Sequence, residues 1–159
     1  MPPRLVYLDT SVPNAYFDRR WRERQRVTRE WWARVRPSYR VVISRFVVDE
    51  VLEAPRARRV AMLRLLEGID VLAVDDRAGG LARGYLEAGI LPAGSYTDAL
   101  HIAVATTNGA DYLVTWNIRH MASASRRQRV REYNEACGHA CPDLVTPEEL
   151  LGTEDSEHS

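Results

Sequence analysis

The chain has 159 residues, 45% of them hydrophobic, and its 22 basic and 22 acidic side chains give a formal net charge of zero. This length suits one domain with one core, and the balanced charge names no partner. Every basic residue is arginine, which excludes the phosphate-binding loops and Schiff-base enzymes that depend on lysine.

Short apolar runs alternate with amphipathic stretches along the whole chain. In chain order we expect a strand over 4–8, a helix start near Pro13, a helix over 22–35, a strand over 40–43 and helices over 46–52 and 60–66. A strand over 71–74, helices over 77–88 and 97–107, a strand over 112–115, a helix over 126–136, a very short strand at 144–145 and a helical turn at Pro147 follow. This alternation predicts an α/β fold with a parallel sheet of four to five strands covered on both faces.

The sequence predicts one cytoplasmic domain. Residues 1–151 are expected to form it, and 152–159 to be an acidic, frayed tail. No apolar stretch approaches the roughly 20 residues that span a bilayer, and the first residues do not resemble a signal peptide, so we expect no membrane association. Cys137 and Cys141 flank His139, but a structural zinc site needs four ligands, which favours reduced thiols.

Three acidic residues occupy positions where an open α/β sheet places its ligands, beyond the carboxyl ends of the strands. Asp9 directly follows the first strand, and Asp98 begins the most apolar helix. Glu50 follows the second strand on the packed side of its helix, whereas Asp49 is expected to point outward. Ordinary alternatives exist, because Asp9 and Asp98 also suit helix N-termini and Glu50 can be a partly exposed surface residue.

If these carboxylates meet, their repulsion requires a cation, and an all-oxygen ligand set favours Mg²⁺ or Mn²⁺ over zinc. Asn117 follows the fourth strand and is a further polar residue for the same edge. His120 is a candidate acid or base, or an exposed loop residue. His101 is either a hydrogen-bonded core residue or a support for the acids.

The segment Leu8 to Ser11, Glu50 after the second strand and the segment Asp98 to Ala103 resemble PIN domains. Residues 114–120 resemble a subgroup related to VapC-type toxins, and the resemblance covers the chain from Leu5 to about Leu151. It implies a three-layer α/β/α fold and an endoribonuclease that depends on Mg²⁺ or Mn²⁺. The metal ligands that the resemblance implies are Asp9, Glu50 and Asp98.

The resemblance also implies roles for other residues. Ser11 matches a hydroxyl that supports the metal site or the substrate, and Asn117 stands where many PIN nucleases carry a fourth acid, which favours one metal over two. Arg45 and Arg119, which follow strands, are expected to contact substrate phosphates or to be surface arginines. The implied partners are RNA, a possible antitoxin protein and a second copy of the chain.

Several alternatives remain open at this point. A PIN-like module could bind RNA or a protein without cutting. A phosphatase with Asp9 as nucleophile is disfavoured, because Ser11 stands where a second aspartate is expected and lysine is absent. The arginine-rich half of the chain is either a nucleic-acid surface or a set of solvated helix faces. One aromatic group is expected to be mostly core, with a partner surface as the alternative: Tyr16, Phe17, Trp21, Trp31 and Trp32.

Overall fold

A computed structural model describes residues 2–158, with side chains described up to residue 153. The strands are β1 (Leu5–Leu8), β2 (Arg40–Ser44), β3 (Asp70–Leu72), β4 (Tyr112–Val114) and β5 (Asp143–Val145). The helices are α1 (Ser11–Phe17), α2 (Arg22–Arg34), α3 (Arg45–Leu52), α4 (Arg56–Leu65), α5 (Asp76–Glu87), α6 (Tyr96–Thr107), α7 (Ala124–Ala136) and α8 (Pro147–His158), with a 3-10 turn at Arg36–Ser38. Every expected element is present.

The strands form one parallel sheet in the order β3-β2-β1-β4-β5, with helices on both faces, which confirms the three-layer α/β/α fold. β1 lies in the centre and pairs with β2 through Val6 and Val41 and with β4 through Leu8 and Val114. The chain proceeds outward from β1 to β3 and then crosses to the other side of β1. The gap between β1 and β4 is therefore the topological switch point, where open α/β sheets bind their ligands.

The strand β1 and the helix α6 belong to the most buried part of the molecule, where any polar side chain needs a hydrogen-bond partner. The side chains of Val6 to Leu8 on β1 are fully buried, as expected for the central strand of a parallel sheet. In α6, every residue from Ala99 to Thr106 is buried, so this helix is enclosed by the rest of the molecule. A histidine on such a helix must find a hydrogen-bond partner inside the protein. Within residues 2–158, no helix combines the length and the apolarity that crossing a bilayer requires.

Several boundaries differ from the sequence-based expectation, among them the start of α4 at Arg56 instead of residue 60, and two of these differences have a structural reason. β3 ends at Leu72 rather than at residue 74, because its partner β2 ends opposite at Ser44, where α3 begins. The expected turn at Pro147 is the longer helix α8, which packs against α2 and continues into the segment expected to fray. Side chains beyond residue 153 lie outside the described residues, so the frayed tail and the domain boundary at residue 151 stay predictions.

Candidate active site

Asp9 is a buried carboxylate with hydroxyl partners. It is the first residue after β1 and is only 4% exposed. The hydroxyl and the backbone N–H of Ser11 both donate to its Oδ1, and the Thr115 hydroxyl donates to its Oδ2 at 2.6 Å. Burial raises the pKa of Asp9 above its usual range, and the charge of His101 and these hydrogen bonds offset that rise only in part.

Glu50 is held in the second turn of α3, which starts directly at the end of β2. The Ser44 side chain accepts a hydrogen bond from the Val47 N–H and caps this helix. Glu50 Oε1 accepts from the Thr10 hydroxyl at 2.6 Å and lies 2.7 Å from His101 Nε2. Burial alone raises the pKa of Glu50, but the hydrogen bonds from His101 and Thr10 outweigh it and keep that pKa below its usual value.

Asp98 lies in the first turn of α6 and is half-buried. Its Oδ1 accepts a hydrogen bond from Asn117 Nδ2 at 3.2 Å, so the structure brings Asn117 to one of the three acids. Burial raises the pKa of Asp98, while the charges of His101 and His120 and the Asn117 hydrogen bond oppose that rise. The backbone N–H of His120 donates to Asn117 Oδ1 at 3.3 Å, which orients the amide nitrogen toward Asp98.

His101 links the acids electrostatically. It lies one turn after Asp98 on α6, is buried, and its charge affects the pKa of all three carboxylates. On the side away from Glu50, its Nδ1 lies 2.8 Å from the Tyr7 hydroxyl, which lies 2.8 Å from the Ser44 hydroxyl. The Nε2–H of His101 donates to Glu50, and the Tyr7 and Ser44 hydroxyls can each donate or accept, so every polar group in this buried row is satisfied.

The three acids do not form a ready-made metal cage. Among the described residues, no group of three or more His, Cys, Asp or Glu side chains is arranged to hold a metal ion. Each carboxylate is turned toward its own hydroxyl, amide or imidazole partners. The donor chemistry nevertheless fits Mg²⁺ or Mn²⁺, because carboxylate oxygens are the ligands that these ions prefer. For Asp9, Glu50 and Asp98 to hold one ion, these side chains would therefore have to move from their present arrangement.

The two arginines expected to contact substrate have no hydrogen bond to the acids among the described residues. Arg45 pairs with Asp49 at 3.2 Å, and both side chains are exposed, as expected for Asp49. Arg45 also lines a mostly apolar pocket of about 560 Å³ together with Phe46 and Val71. Arg119 is exposed in the loop after Asn117. In the described part of the chain, neither arginine is hydrogen-bonded to the acids, and their substrate roles stay predictions.

Two residues of the site do not follow from the sequence analysis. Thr115 follows β4 as Asp9 follows β1, and the rule that singled out Asp9 also applies to it. Tyr7 lies inside β1, and its contact with His101 depends on how α6 packs against the sheet. Its hydroxyl is deeply buried, and burial raises the pKa of Tyr7 far above its usual value, so the proton stays on its oxygen.

Comparison with known proteins agrees with this fold. Residues 6–125 match the family model of the PIN domain. No curated protein matches the sequence. Among solved structures, VapBC-1 from nontypeable Haemophilus influenzae has 17% sequence identity and a TM-score of 0.59, with 91% of this chain and 98% of that chain covered.

Two further structures are similar at the same level. VapC20 from Mycobacterium tuberculosis, described as a sarcin-ricin-loop-cleaving toxin, has 20% identity and a TM-score of 0.57, with coverage of 74% of this chain and 98% of that chain. VapBC2 from Rickettsia felis, bound to a DNA fragment from its promoter, has 16% identity and a TM-score of 0.56, with 89% and 98% covered. At these identities the likeness shows the fold.

Proposed function

Because this chain belongs to the PIN domain family, we propose that it is a metal-dependent endoribonuclease. One observation carries the proposal: the acids at the carboxyl edge of the sheet have hydroxyl, amide and imidazole partners, and burial raises the pKa of two of them. Buried carboxylates in this state gain most from a divalent cation. The residues that would hold Mg²⁺ or Mn²⁺ are Asp9, Glu50 and Asp98.

The chain's own residues prepare the site for hydrolysis of an RNA phosphodiester. A bound divalent cation supplies charge neutralisation and polarisation of the phosphate. Ser11 and Thr115 hold Asp9 at this edge of the sheet by hydrogen bonds, and His101 does the same for Glu50, without fixing either carboxylate in the orientation that an ion would require. One carboxylate, or the Asn117 amide, orients a water molecule for in-line attack on phosphorus. The 3′ oxygen leaves, which gives a 5′-phosphate and a 3′-hydroxyl.

The partners follow from the same proposal. RNA is the substrate, and the description of VapC20 as a sarcin-ricin-loop-cleaving toxin makes ribosomal RNA the first candidate to assay. On the likeness to VapC-type toxins, we infer that an antitoxin protein blocks the acidic edge. A homodimer and a cytoplasmic location complete the proposal.

The direct test is cleavage of end-labelled RNA by the purified protein with Mg²⁺ or Mn²⁺. We expect cleavage that excess chelator abolishes, and that Asp9→Asn and Asp98→Asn both abolish. Asp143→Asn is a matched control, because it removes an acid from the opposite edge of the sheet and is expected to cleave normally. Activity that survives Asp9→Asn or excess chelator would contradict the mechanism.

The second candidate is a PIN-like module that binds RNA or protein without cutting. Asn117 favours it, because an amide at this position adds no charge to the metal site. Titration with Mn²⁺ separates the two functions. The nuclease takes up the ion, and Asp9→Asn abolishes that uptake, whereas a binding module has the same Mn²⁺ response with and without the Asp9 carboxylate.

A further inference from the structure

A second pocket opens directly beside the acids. It has a volume of about 450 Å³, and Ser11 and Asn117 form the wall that it shares with the candidate active site. Arg20, Trp21 and Arg24 line the side formed by the start of α2. The remaining lining residues are Asn14, Ala15, Asp18 and Trp116. A ligand in this pocket would therefore be in contact with residues that themselves contact Asp9 and Asp98.

Trp116 gives this pocket a rigid base. It is buried, and its backbone N–H donates to Ser11 Oγ at 2.8 Å while its indole Nε1 donates to Thr28 Oγ1 at 2.8 Å. The ring is thus attached both to the turn that holds Asp9 and to α2. Two hydrogen bonds and burial leave it little freedom to move.

The guanidinium group of Arg24 contacts two indole rings, that of Trp116 at the base and that of Trp21. The Arg24 guanidinium carbon lies 5.2 Å from the centre of the Trp116 ring and 4.7 Å from the centre of the Trp21 ring. Trp21 nevertheless remains 56% exposed, although it is the largest type of hydrophobic side chain. Its contact with Arg24 restrains the ring, so binding another flat group on the exposed side costs little conformational entropy.

The charge of Arg24 is available to a ligand, because no acidic side chain among the described residues neutralises it. Arg20 is neutralised by Asp18 through two hydrogen bonds of 3.1 Å, and Arg26 pairs with Glu23 on the outer side of α2. Arg24 contacts the two indoles, and within the described residues no carboxylate pairs with it. A guanidinium in this state retains N–H donors for an anionic oxygen such as a phosphate.

We propose that this pocket is a nucleobase subsite of the nuclease. An unpaired RNA base next to the cleaved phosphate stacks on the exposed side of Trp21, and Arg24 donates to the adjoining phosphate. An aromatic platform with a cation beside it is the arrangement that binds single-stranded nucleic acid with little sequence preference. The inference rests on the proposed function, because the shared wall at Ser11 and Asn117 is what connects the subsite to the chemistry.

The test measures binding of a fluorescein-labelled single-stranded RNA by fluorescence anisotropy in excess EDTA, where the proposed cleavage does not occur. Trp21→Leu removes the aromatic ring but retains bulk, and we expect at least about fivefold weaker binding. Trp21→Phe retains a ring and is expected to stay within about twofold. Because Trp21 is exposed, both variants should keep the wild-type circular dichroism spectrum.

Charge is tested separately with Arg24→Gln. We expect this variant to bind about fivefold more weakly, and the slope of log affinity against log salt to fall by about 0.7, as for one lost phosphate contact on a single strand. Arg83→Gln, which removes an exposed arginine on α5 that lines neither pocket, is the matched control and should leave affinity and slope unchanged. Equal effects of both substitutions would show a general charge effect and overturn the subsite.

An RNA series with one abasic nucleotide at each position locates the stacked base. In the wild type, one abasic position near the cleavage site should weaken binding, and in Trp21→Leu that position should cost nothing further. Trp21→Leu binding within twofold of the wild type, or abasic penalties that are identical in both proteins, would refute the subsite. Trp21-dependent RNA binding without cleavage at any metal concentration would instead retain the subsite and remove the nuclease.

Discussion

The acidic residues at the two edges of the sheet have different bonding partners. At the amino edge, Asp70 pairs with Arg40 at 3.6 Å, and Asp143 pairs with Arg131 of α7. At the carboxyl edge, Asp9 is held by hydroxyls, Asp98 by an amide, and Glu50 by a hydroxyl and an imidazole. Asp70 and Asp143 at the amino edge are thus paired with arginine, whereas the three candidate metal ligands at the carboxyl edge have uncharged hydroxyl and amide donors or an imidazole. Asp49, which also lies at the carboxyl edge but is exposed, pairs with Arg45.

This contrast distinguishes acids that form ion pairs on the protein surface from acids that serve the proposed function. The amino-edge pairs are exposed, and their charges are neutralised within the protein. At the carboxyl edge, burial raises the pKa of Asp9 and Asp98, so ionisation of these side chains costs folding free energy. Carboxylates with shifted pKa values at a topological switch point are typical of functional sites. The predictions below test whether the two edges differ as this account requires.

The largest expected effect is on cleavage. Asp9→Asn should lower the rate of RNA cleavage at least about a hundredfold, as for loss of a group that acts directly on the reacting centre. Asp143→Asn should lower it less than about twofold, because that carboxylate lies at the opposite edge. Rates from single-turnover cleavage of one labelled RNA provide the comparison. Equal loss of activity in both variants would show that the acids at the two edges do not differ in their role in cleavage.

The next effect is on folding. His101→Ala removes one of the two hydrogen-bond partners of Tyr7 and one of the two of Glu50 in a buried environment, and we expect the free energy of unfolding to fall by about 1–3 kcal/mol. His101→Gln, which retains a polar side chain, should lose less. Urea denaturation followed by circular dichroism measures both values. A His101→Ala variant as stable as the wild type would show that the buried row of hydrogen bonds does not support the site.

A smaller and more diagnostic effect is the pH dependence of stability in metal-free buffer. Because the pKa of Asp9 is raised on folding, the folded state binds more protons than the unfolded state at pH values above the ordinary 3.8. The free energy of unfolding of the wild type should therefore fall relative to Asp9→Asn as pH rises from the ordinary value through the raised folded pKa. Glu50, whose pKa is lowered, has the opposite dependence and is present in both proteins.

Added Mn²⁺ should reduce the difference between wild type and Asp9→Asn, because a cation compensates the buried charge. A wild-type stability that rises relative to Asp9→Asn through this window would contradict the raised pKa.

The smallest effect is expected at the amino edge itself. The side chains of Arg131 and Asp143 are about half exposed. A double-mutant cycle with Arg131→Gln and Asp143→Asn should therefore give a coupling of about 0.2–1 kcal/mol, as for other surface pairs. Thermal unfolding of the four proteins measures it. A coupling well above this range would mean that the arginine pairs carry more of the stability than their exposure indicates.

The fold could be predicted from sequence because alternating strands and helices leave few arrangements for a parallel sheet. The order of the strands could not, because nothing in the sequence shows that β4 pairs with β1. That pairing places Thr115 beside Asp9, so its contact with the carboxylate does not follow from the sequence, although its position after β4 does. The end of β3 depends on the end of β2, which is likewise a property of the pairing and not of the apolar run.

The candidate site could be predicted in part. Each acid was placed on its element by the end-of-strand rule or by helical periodicity. The substrate contact of Arg45 stays a prediction, and the structure adds that Arg45 pairs with Asp49, an acid four residues later on the same helix. Trp21 was grouped with mostly core aromatics, yet it precedes the first turn of α2 and therefore does not share that helix's buried face.

The central claim is that Asp9, Glu50 and Asp98 share one divalent cation. Anomalous diffraction at the manganese absorption edge from crystals soaked in Mn²⁺ tests it most directly. The account predicts one anomalous peak in contact with oxygens of all three carboxylates, and its loss in crystals of Asp9→Asn. A wild-type protein with no peak between these side chains, or a peak unchanged by Asp9→Asn, would contradict the claim.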